Sequence, residues 1–201
     1  MAWNPVIQSA AAAIEEGAPI LKQESGVSYH KFSELDERVQ SVAMDAIASI
    51  NKATSTTPGV TWEKYTARLI NQLKECPNFK NTAFFAKNVD EIIGYVAFFT
   101  RKDENPAFNE FLQNDEQAYC ALTAVDDRFR GKGIAIDLKM QIFNPEHRIS
   151  SFSGHIKESN KASLRVLEKF AEMGFSISKE KKESDNKEKE SEYFYSVSKP
   201  E

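Results

Sequence analysis

The 201-residue sequence has no long hydrophobic run. A helix that crosses a bilayer needs roughly 20 consecutive apolar residues, and no segment approaches that, so no membrane association is expected. Cysteine is scarce: Cys76 and Cys120 lie far apart, with no CxxC pair and no histidine at metal-ligand spacing. That excludes a disulfide framework and a zinc module, and no metal is expected. It fits two reduced, buried thiols in a cytoplasmic protein. Basic residues are missing from the first 21 positions, and Glu15 and Glu16 follow an Ala-rich run, a pattern unlike a secretory leader. There is no overall basic excess either. The net charge of -4 argues against nucleic acid as the partner and tilts toward a cationic substrate. What remains is an ordinary balance, 41% hydrophobic and 28% charged, in a chain long enough to bury a core as one domain.

Patterning divides the chain. Asn4-Pro5 reads as a helix start, with the helix running to about Glu16 and stopping at Gly17, an N-terminal helical extension over residues 1–26. An extended segment over Val27 to Phe32 follows. Ser33 is then expected to cap a helix whose apolar face carries Leu35, Val39, Val42, Ala43, Ala46, Ile47 and Ile50. Thr61 starts a second helix with Trp62, Tyr65, Leu69 and Leu73 on one face, ended by Pro77. The period then changes. "TAFFAK" and "IIGYVAFFT" read as a hairpin turning over Asn88 to Glu91, with Gly94 marking a bulge. Arg101 to Glu116 is a long loop holding Pro106, Phe108 and Phe111, of a length often tied to substrate sites. "QAYCALTAV" is a strand and Ile134 to Phe143 a helix, stopped by Asn144-Pro145. "RISSFSGHI" is a strand, Asn160 starts a helix that ends at Gly174, and "FSISK" and "EYFYSVS" close the chain as strands around a solvated charge run. The result is one mixed sheet with helices on its faces.

Between the strand and the helix lies "VDDRFRGKGIA". A strand, a Gly-rich turn and a helix start leave free backbone N–H groups at the positive end of a helix dipole. Gly131 and Gly133 admit close approach, and Arg130 and Lys132 add charge, so the turn is built as a phosphate cradle. It is not a P-loop, since GxxxxGK[ST] is absent, and Ile136 occupies the third glycine position of a dinucleotide fingerprint.

These residues resemble the acetyl-CoA pyrophosphate loop of the GNAT acetyltransferase superfamily, with Arg130, Gly131, Lys132, Gly133, Ile134 and Ala135 on its core pattern and Asp127 at its usual proline. Downstream, "NKASLRVLEKFAEMGF" resembles the family's second motif, Asn160 and Ser163 at its start and Gly174-Phe175 at its end. The resemblance covers residues 27–201. It implies an α/β (α+β) fold with a mixed, mostly antiparallel central sheet of about seven strands, splayed at the cofactor site and flanked by helices. It implies transfer of an acetyl group from acetyl-CoA to a primary amine, small or peptidic, by direct attack in a ternary complex. The amides of Arg130 to Ala135 would hold the pyrophosphate, the edge at Thr123, Ala124 and Val125 would pair with pantetheine, and Asn160 and Ser163 would touch the cofactor's arm. An amide near Val125 would polarise the thioester carbonyl. Exposed strand edges in this fold often pair, so a homodimer is compatible.

The sequence departs from the family at the proton-transfer groups. Strand alternation puts Tyr119, Ala121, Thr123 and Val125 on one face and Cys120 and Leu122 on the other. No carboxylate or histidine occupies the family's base position, which leaves Tyr119 as a proton relay or a pocket wall and Glu116 at the strand's start. The family's acid is a tyrosine seven residues after the asparagine; here that residue is Leu167, with Ser163 as a substitute donor or cofactor contact. His155 falls near the expected cofactor, where a structural role is the commoner one, and His30 and His147 have no motif support. Phe108 and Phe111 line an acceptor pocket or anchor their loop. Two other readings stay open: a CoA-binding sensor or interaction module without chemistry, and a longer acyl donor accommodated by Ala121.

Overall fold

The computed structural model describes residues 26–54, 62–75, 79–101, 111–182 and 191–200. The expected N-terminal helix, Thr61, Cys76, Phe108 and most of the charge run lie outside those residues.

Seven strands form one sheet in the spatial order β1-β2-β3-β4-β5-β7-β6. They are β1 (Val27–Lys31), β2 (Ala83–Asn88), β3 (Glu91–Thr100), β4 (Gln117–Val125), β5 (Ser151–Lys157), β6 (Ser176–Lys182) and β7 (Glu192–Ser198). Their aromatic and β-branched residues suit a pleated, half-buried surface. Every neighbouring pair is antiparallel except β4–β5. The β2–β3 hairpin turns through Val89, held in the left-handed region at φ 55. The expected bulge beside Gly94 is present, since the register passes from Gly94 to Ile92 and leaves Ile93 unopposed.

Among the described residues four α-helices cover the sheet: α1 (Glu37–Thr54), α2 (Trp62–Glu75), α3 (Ile134–Met140) and α4 (Lys161–Glu172). One boundary differs from expectation. Ser33 falls inside a short 3-10 turn over Phe32–Glu34, anchored by the buried ring of Phe32. Asp36 is the cap of α1 instead, its Oδ1 accepting from the Val39 N–H at 2.9 Å. A carboxylate at this position satisfies an orphan donor and favours the positive helix end.

The sheet separates two cores. On one face α1 and α2 place Ala43, Ile47, Ile50, Leu69 and Leu73 against Phe85, Tyr95 and Phe99. On the other, α3 and α4 place Ile134, Leu138, Leu167 and Phe170 against Phe84, Val96, Phe152 and Val197. Each fully buried Leu, Ile or Phe contributes roughly 1.5–3 kcal/mol relative to exposure, so both helix layers are held by their apolar stripes.

The feature that positions a site is the one parallel pair. β4 and β5 join only at Gln117↔Ser151, Ala118↔Phe152 and Tyr119↔Ser153. Beyond Tyr119, β4 continues to Val125 paired with β3 alone, so the sheet forks. The closed end lies at Tyr119 and Ser153, and the open end at Val125 and Lys157. The register of β4 explains the departure: Ala97↔Leu122 and Phe98↔Cys120 leave Ala121 as an extra residue. Such a bulge bends and twists a strand away from its neighbour.

The same bulge corrects the expected alternation. Thr123 and Val125 do not share the face of Tyr119. Cys120 and Val125 belong to the α3–α4 core, and the Cys120 Sγ lies 3.4 Å from the Thr123 Oγ1. Tyr119, Ala121, Leu122 and Ala124 face the α1–α2 core. An extra residue reverses the side-chain period, which spacing alone does not reveal.

Candidate active site

The open end of the fork is where both arms pass into helices. From β4 the chain enters a 3-10 turn over Asp127–Phe129, then Arg130 to Gly133, then α3. The Asp126 carboxylate caps that turn, accepting from the Arg128 N–H at 2.9 Å. Arg128 also pairs with Glu91 and with Asp126. That hydrogen-bonded guanidinium holds the Asp126 carboxyl below the usual range, against a smaller opposing effect of burial. Gly131 and Gly133 have φ of 79 and 84, and a Cβ on either would meet nothing within 4 Å. Glycine is needed here for backbone conformation, not for lack of room.

Among the described residues the amides of Gly131 to Ala135 have no protein acceptor, while those of Ile136 and Asp137 both turn to the Gly133 carbonyl. This run of free donors opens α3, which continues as a 3-10 turn over Gln141–Phe143. Arg130 is tied to Asp127 at 2.7 Å, a pair that is about half exposed. The aspartate at the family's proline position therefore starts the turn and steadies its arginine. Lys132 lies with its Nζ 5.0 Å from the centre of the Phe129 ring, and among the described residues no carboxylate pairs with it.

Along the unpaired edge, Thr123 and Ala124 are half-buried and Val125 is buried. Asp126 sends its N–H to the Ile93 carbonyl at 2.8 Å, so alternation directs the Val125 N–H away from β3, into the fork. On the other arm Asn160 caps α4, its Oδ1 accepting from the Ser163 N–H at 3.0 Å. The side chain of Asn160 is exposed and that of Ser163 half-buried. Because β4 and β5 are parallel, both arms deliver their helix starts to the same end of the fork.

The closed end carries two polar groups, one on each face. On the α1–α2 face the Tyr119 hydroxyl is 2.8 Å from the His155 Nδ1. The Phe111 ring stacks on Tyr119 at 5.0 Å and meets His155 edge-on at 5.3 Å, and Phe194 packs against His155 at 5.1 Å. Sequence reasoning had Tyr119 and Phe111 here and left His155 with a structural role. The histidine is Tyr119's direct partner, a pairing across 36 positions that no local signal carries. Glu116 is exposed and precedes the paired end of β4, away from the fork's opening. His30 bonds Ser28 at 2.8 Å, and His147 packs edge-on against Phe84 and Phe98.

On the α3–α4 face Lys139 is buried. Its Nζ donates to the Cys120 Sγ at 3.0 Å and to the Tyr195 hydroxyl at 3.3 Å, between the faces of Phe152 and Tyr195. Burial works against the ammonium, and its interactions with Cys120 and Tyr195 favour it. Sequence reasoning read Cys120 as an inert buried thiol and missed this cluster. A signal was present: Lys139 stands on a helical stripe with Ala135, Ile142 and Phe143, where a cation is out of place. Gly154 makes room across the gap, since a Cβ there would lie 2.7 Å from the Tyr195 hydroxyl oxygen and 3.0 Å from the Cys120 carbonyl oxygen. Leu167, at the family's tyrosine position, is buried in the same core.

The model of the acetyltransferase (GNAT) family matches residues 47–172. Diaminobutyrate acetyltransferase EctA from Paenibacillus lautus, solved with L-2,4-diaminobutyric acid and coenzyme A, superposes with a TM-score of 0.61 at 18% identity, over 87% of this chain and 95% of that one. The NatC complex bound to Gag peptide and CoA gives a TM-score of 0.58 at 18% identity, over 86% and 98%. The protein yncA from Salmonella typhimurium, solved with its cofactor acetyl-CoA, gives 0.53 at 14% identity, over 87% and 94%. At these identities the likeness is one of fold. No curated protein matches the sequence.

Proposed function

The chain belongs to the GNAT family of acetyltransferases, and from that premise we propose that it acetylates a primary amine by direct attack in a ternary complex with acetyl-CoA. The observation that supports this reading is the fork in the sheet: an unpaired β4 edge that runs from a row of free amides at Gly131 to Ala135 down to a hydrogen-bonded tyrosine–histidine pair.

Each part has a physical task. The amides, Arg130 and Lys132 fit the two negative charges of a pyrophosphate at the start of α3. The backbone of Thr123 to Val125 offers an extended amide-bearing arm a strand to pair with, the Val125 N–H pointing into the gap as one of its donors. Asn160 and Ser163 border the same opening from the β5 arm. Acetyl-CoA is the acyl donor and a substrate of the reaction. Holding donor and acceptor together is worth several kcal/mol of the barrier by itself.

An alkyl amine is mostly protonated at neutral pH, with a pKa of ~10.4 for a lysine-like group. It must lose a proton to attack. We assign that step to Tyr119 and His155, whose hydroxyl and imidazole lie 2.8 Å apart. Imidazole is the side chain best suited to exchange protons near neutral pH. Relatives of the same fold were crystallised with a small diamine and with a peptide, so the fold does not choose the acceptor's size. The aromatic wall of Phe111, Tyr119 and Phe194 favours an acceptor whose amine is carried on an apolar stem.

The test is calorimetric titration of the protein with acetyl-CoA, with ATP and NAD as controls, followed by an amine panel scored by release of free CoA. Selective acetyl-CoA binding with amine-dependent release supports the reading. Selective binding without release from any amine would instead favour a CoA-binding sensor. A folded sample that does not bind acetyl-CoA would remove the ligand from the fork.

A further inference from the structure

The reaction needs two proton transfers, and the Tyr119–His155 pair serves only one. When the carbon–sulfur bond breaks, its electron pair stays on sulfur, and the thiolate must be stabilised or protonated. Leu167 has no proton to give. Ser163 lies at the start of α4, at the open end of the fork.

The sulfur has to lie along the unpaired edge, on the way from Val125 to the closed end. The amides of Gly131 to Ala135 lie past the open end of β4. An arm that starts there and pairs with the edge runs back from Val125 toward Cys120, about 17 Å of strand at roughly 3.3 Å per residue. β5 closes the gap beyond it, at Ser153.

Along that edge Thr123, Cys120 and Lys139 form a connected chain. The Lys139 Nζ donates to the Cys120 Sγ at 3.0 Å, and that sulfur is 3.4 Å from the Thr123 Oγ1. Thr123 is half-buried, on the unpaired edge. Among the described residues no carboxylate faces the ammonium. Its polar contacts are Cys120 from β4 and Tyr195 from β7, with the rings of Phe152 and Tyr195 beside it. A buried cation without an anionic partner is costly to keep. An anion forming nearby on sulfur is the species that would offset that cost.

We propose that Lys139, Cys120 and Thr123 form a proton relay to the departing thiolate, in place of the tyrosine that this chain lacks. The inference rests on the acetyltransferase reading. As the acceptor nitrogen bonds to the acetyl carbon and the carbon–sulfur bond breaks, the Thr123 hydroxyl proton passes to the leaving sulfur. The Cys120 S–H proton passes to the Thr123 oxygen, and a Lys139 Nζ proton to the Cys120 sulfur. The products are the amide, a neutral thiol and a neutral Lys139 amine, which water re-protonates after release. The amine's own proton leaves by the Tyr119–His155 side. Thr123 touches the leaving group and is the catalytic residue; Cys120 and Lys139 act through it as positioning residues.

The experiment compares Thr123→Val, Thr123→Ser, Lys139→Met and the Thr123→Val/Lys139→Met double variant, each checked for folding by its melting curve. Thr123→Val should lower kcat about 10²-fold while the KM for acetyl-CoA stays within about twofold, and Thr123→Ser should restore most of the rate. The double variant should be no slower than the slower single one, since members of one relay are not additive. If Lys139→Met does not fold, the Thr123 pair alone decides. Wild-type kcat in Thr123→Val, failure of Thr123→Ser to recover, or losses that multiply in the double variant would overturn the relay while acetyl transfer by the unmodified protein still stands. No acetyl transfer by the unmodified protein to any amine would overturn both.

Discussion

The two faces of the sheet meet the closed end of the fork with different chemistry. On the α1–α2 side the groups are aromatic: Phe111, Tyr119, His155 and Phe194, with a hydroxyl–imidazole hydrogen bond at 2.8 Å. On the α3–α4 side the group is a buried ammonium held by a thiol and a phenol. One sheet thus presents a group suited to accept a proton on one face and a group suited to donate one on the other. The bulge at Ala121 makes this division, because it turns Thr123 toward Cys120 and leaves Tyr119 on the opposite side. An amide-forming reaction produces a surplus proton on nitrogen and a deficit on sulfur, and the two faces match those needs separately.

The largest expected effect falls on the aromatic face. His155→Ala removes the partner of the Tyr119 hydroxyl and should lower kcat about 10²–10⁴-fold, with the acetyl-CoA dissociation constant unchanged by calorimetry. Retained turnover in a folded His155→Ala protein would break the comparison, since the proton would then leave by another route, and Tyr119 would be a wall of the pocket.

How much of this was legible in the sequence depends on how local each feature is. The loop from Arg130 to Ala135 and the Asn160 cap are demands of consecutive backbone units: glycines at positive φ, a side chain bonded three residues ahead. Such demands are written in adjacent residues, and both motifs were readable, as were the fold class and the bulge beside Gly94. The face of Thr123 was not, because one inserted residue in a strand leaves no mark in spacing. The start of α1 slipped from Ser33 to Asp36 because both residues cap well, and burial of Phe32 decided between them. The Tyr119–His155 and Lys139–Cys120 contacts join separate strands and helices, and only the register of the sheet brings them together.

A second, comparable effect concerns the α3–α4 face and separates its framework from its chemistry. Leu167→Ala empties a site that is 3% exposed, and should cost about 2–5 kcal/mol in denaturant unfolding. At temperatures where the variant is folded, kcat should be close to normal, because the proton chemistry assigned to this face belongs to Lys139. A large fall in kcat with an unchanged melting temperature would place Leu167 against the substrate, and the division between the faces would have to be redrawn.

The smallest effect tests how the α3 side treats charge of the other sign. Asp137 lies two residues before Lys139 on the same helix, and its Oδ2 accepts from the Tyr29 hydroxyl at 2.7 Å. Burial raises its pKa, and the Tyr29 hydrogen bond, which favours the carboxylate, offsets only part of that. A carboxyl whose folded pKa is raised gives its full contribution below the unfolded value of ~3.9 and loses it as pH rises through the folded value. At neutral pH the wild-type protein therefore carries a penalty that an amide would not. Asp137→Asn keeps an acceptor for Tyr29 and removes the charge, so it should melt slightly higher than wild type near about pH 7, with the difference fading toward about pH 3. A lower melting temperature near neutrality would mean that the carboxylate is net favourable there. The cation at Lys139 would then be part of a layer that welcomes charge of either sign, and its pairing with a forming thiolate would lose its electrostatic motive.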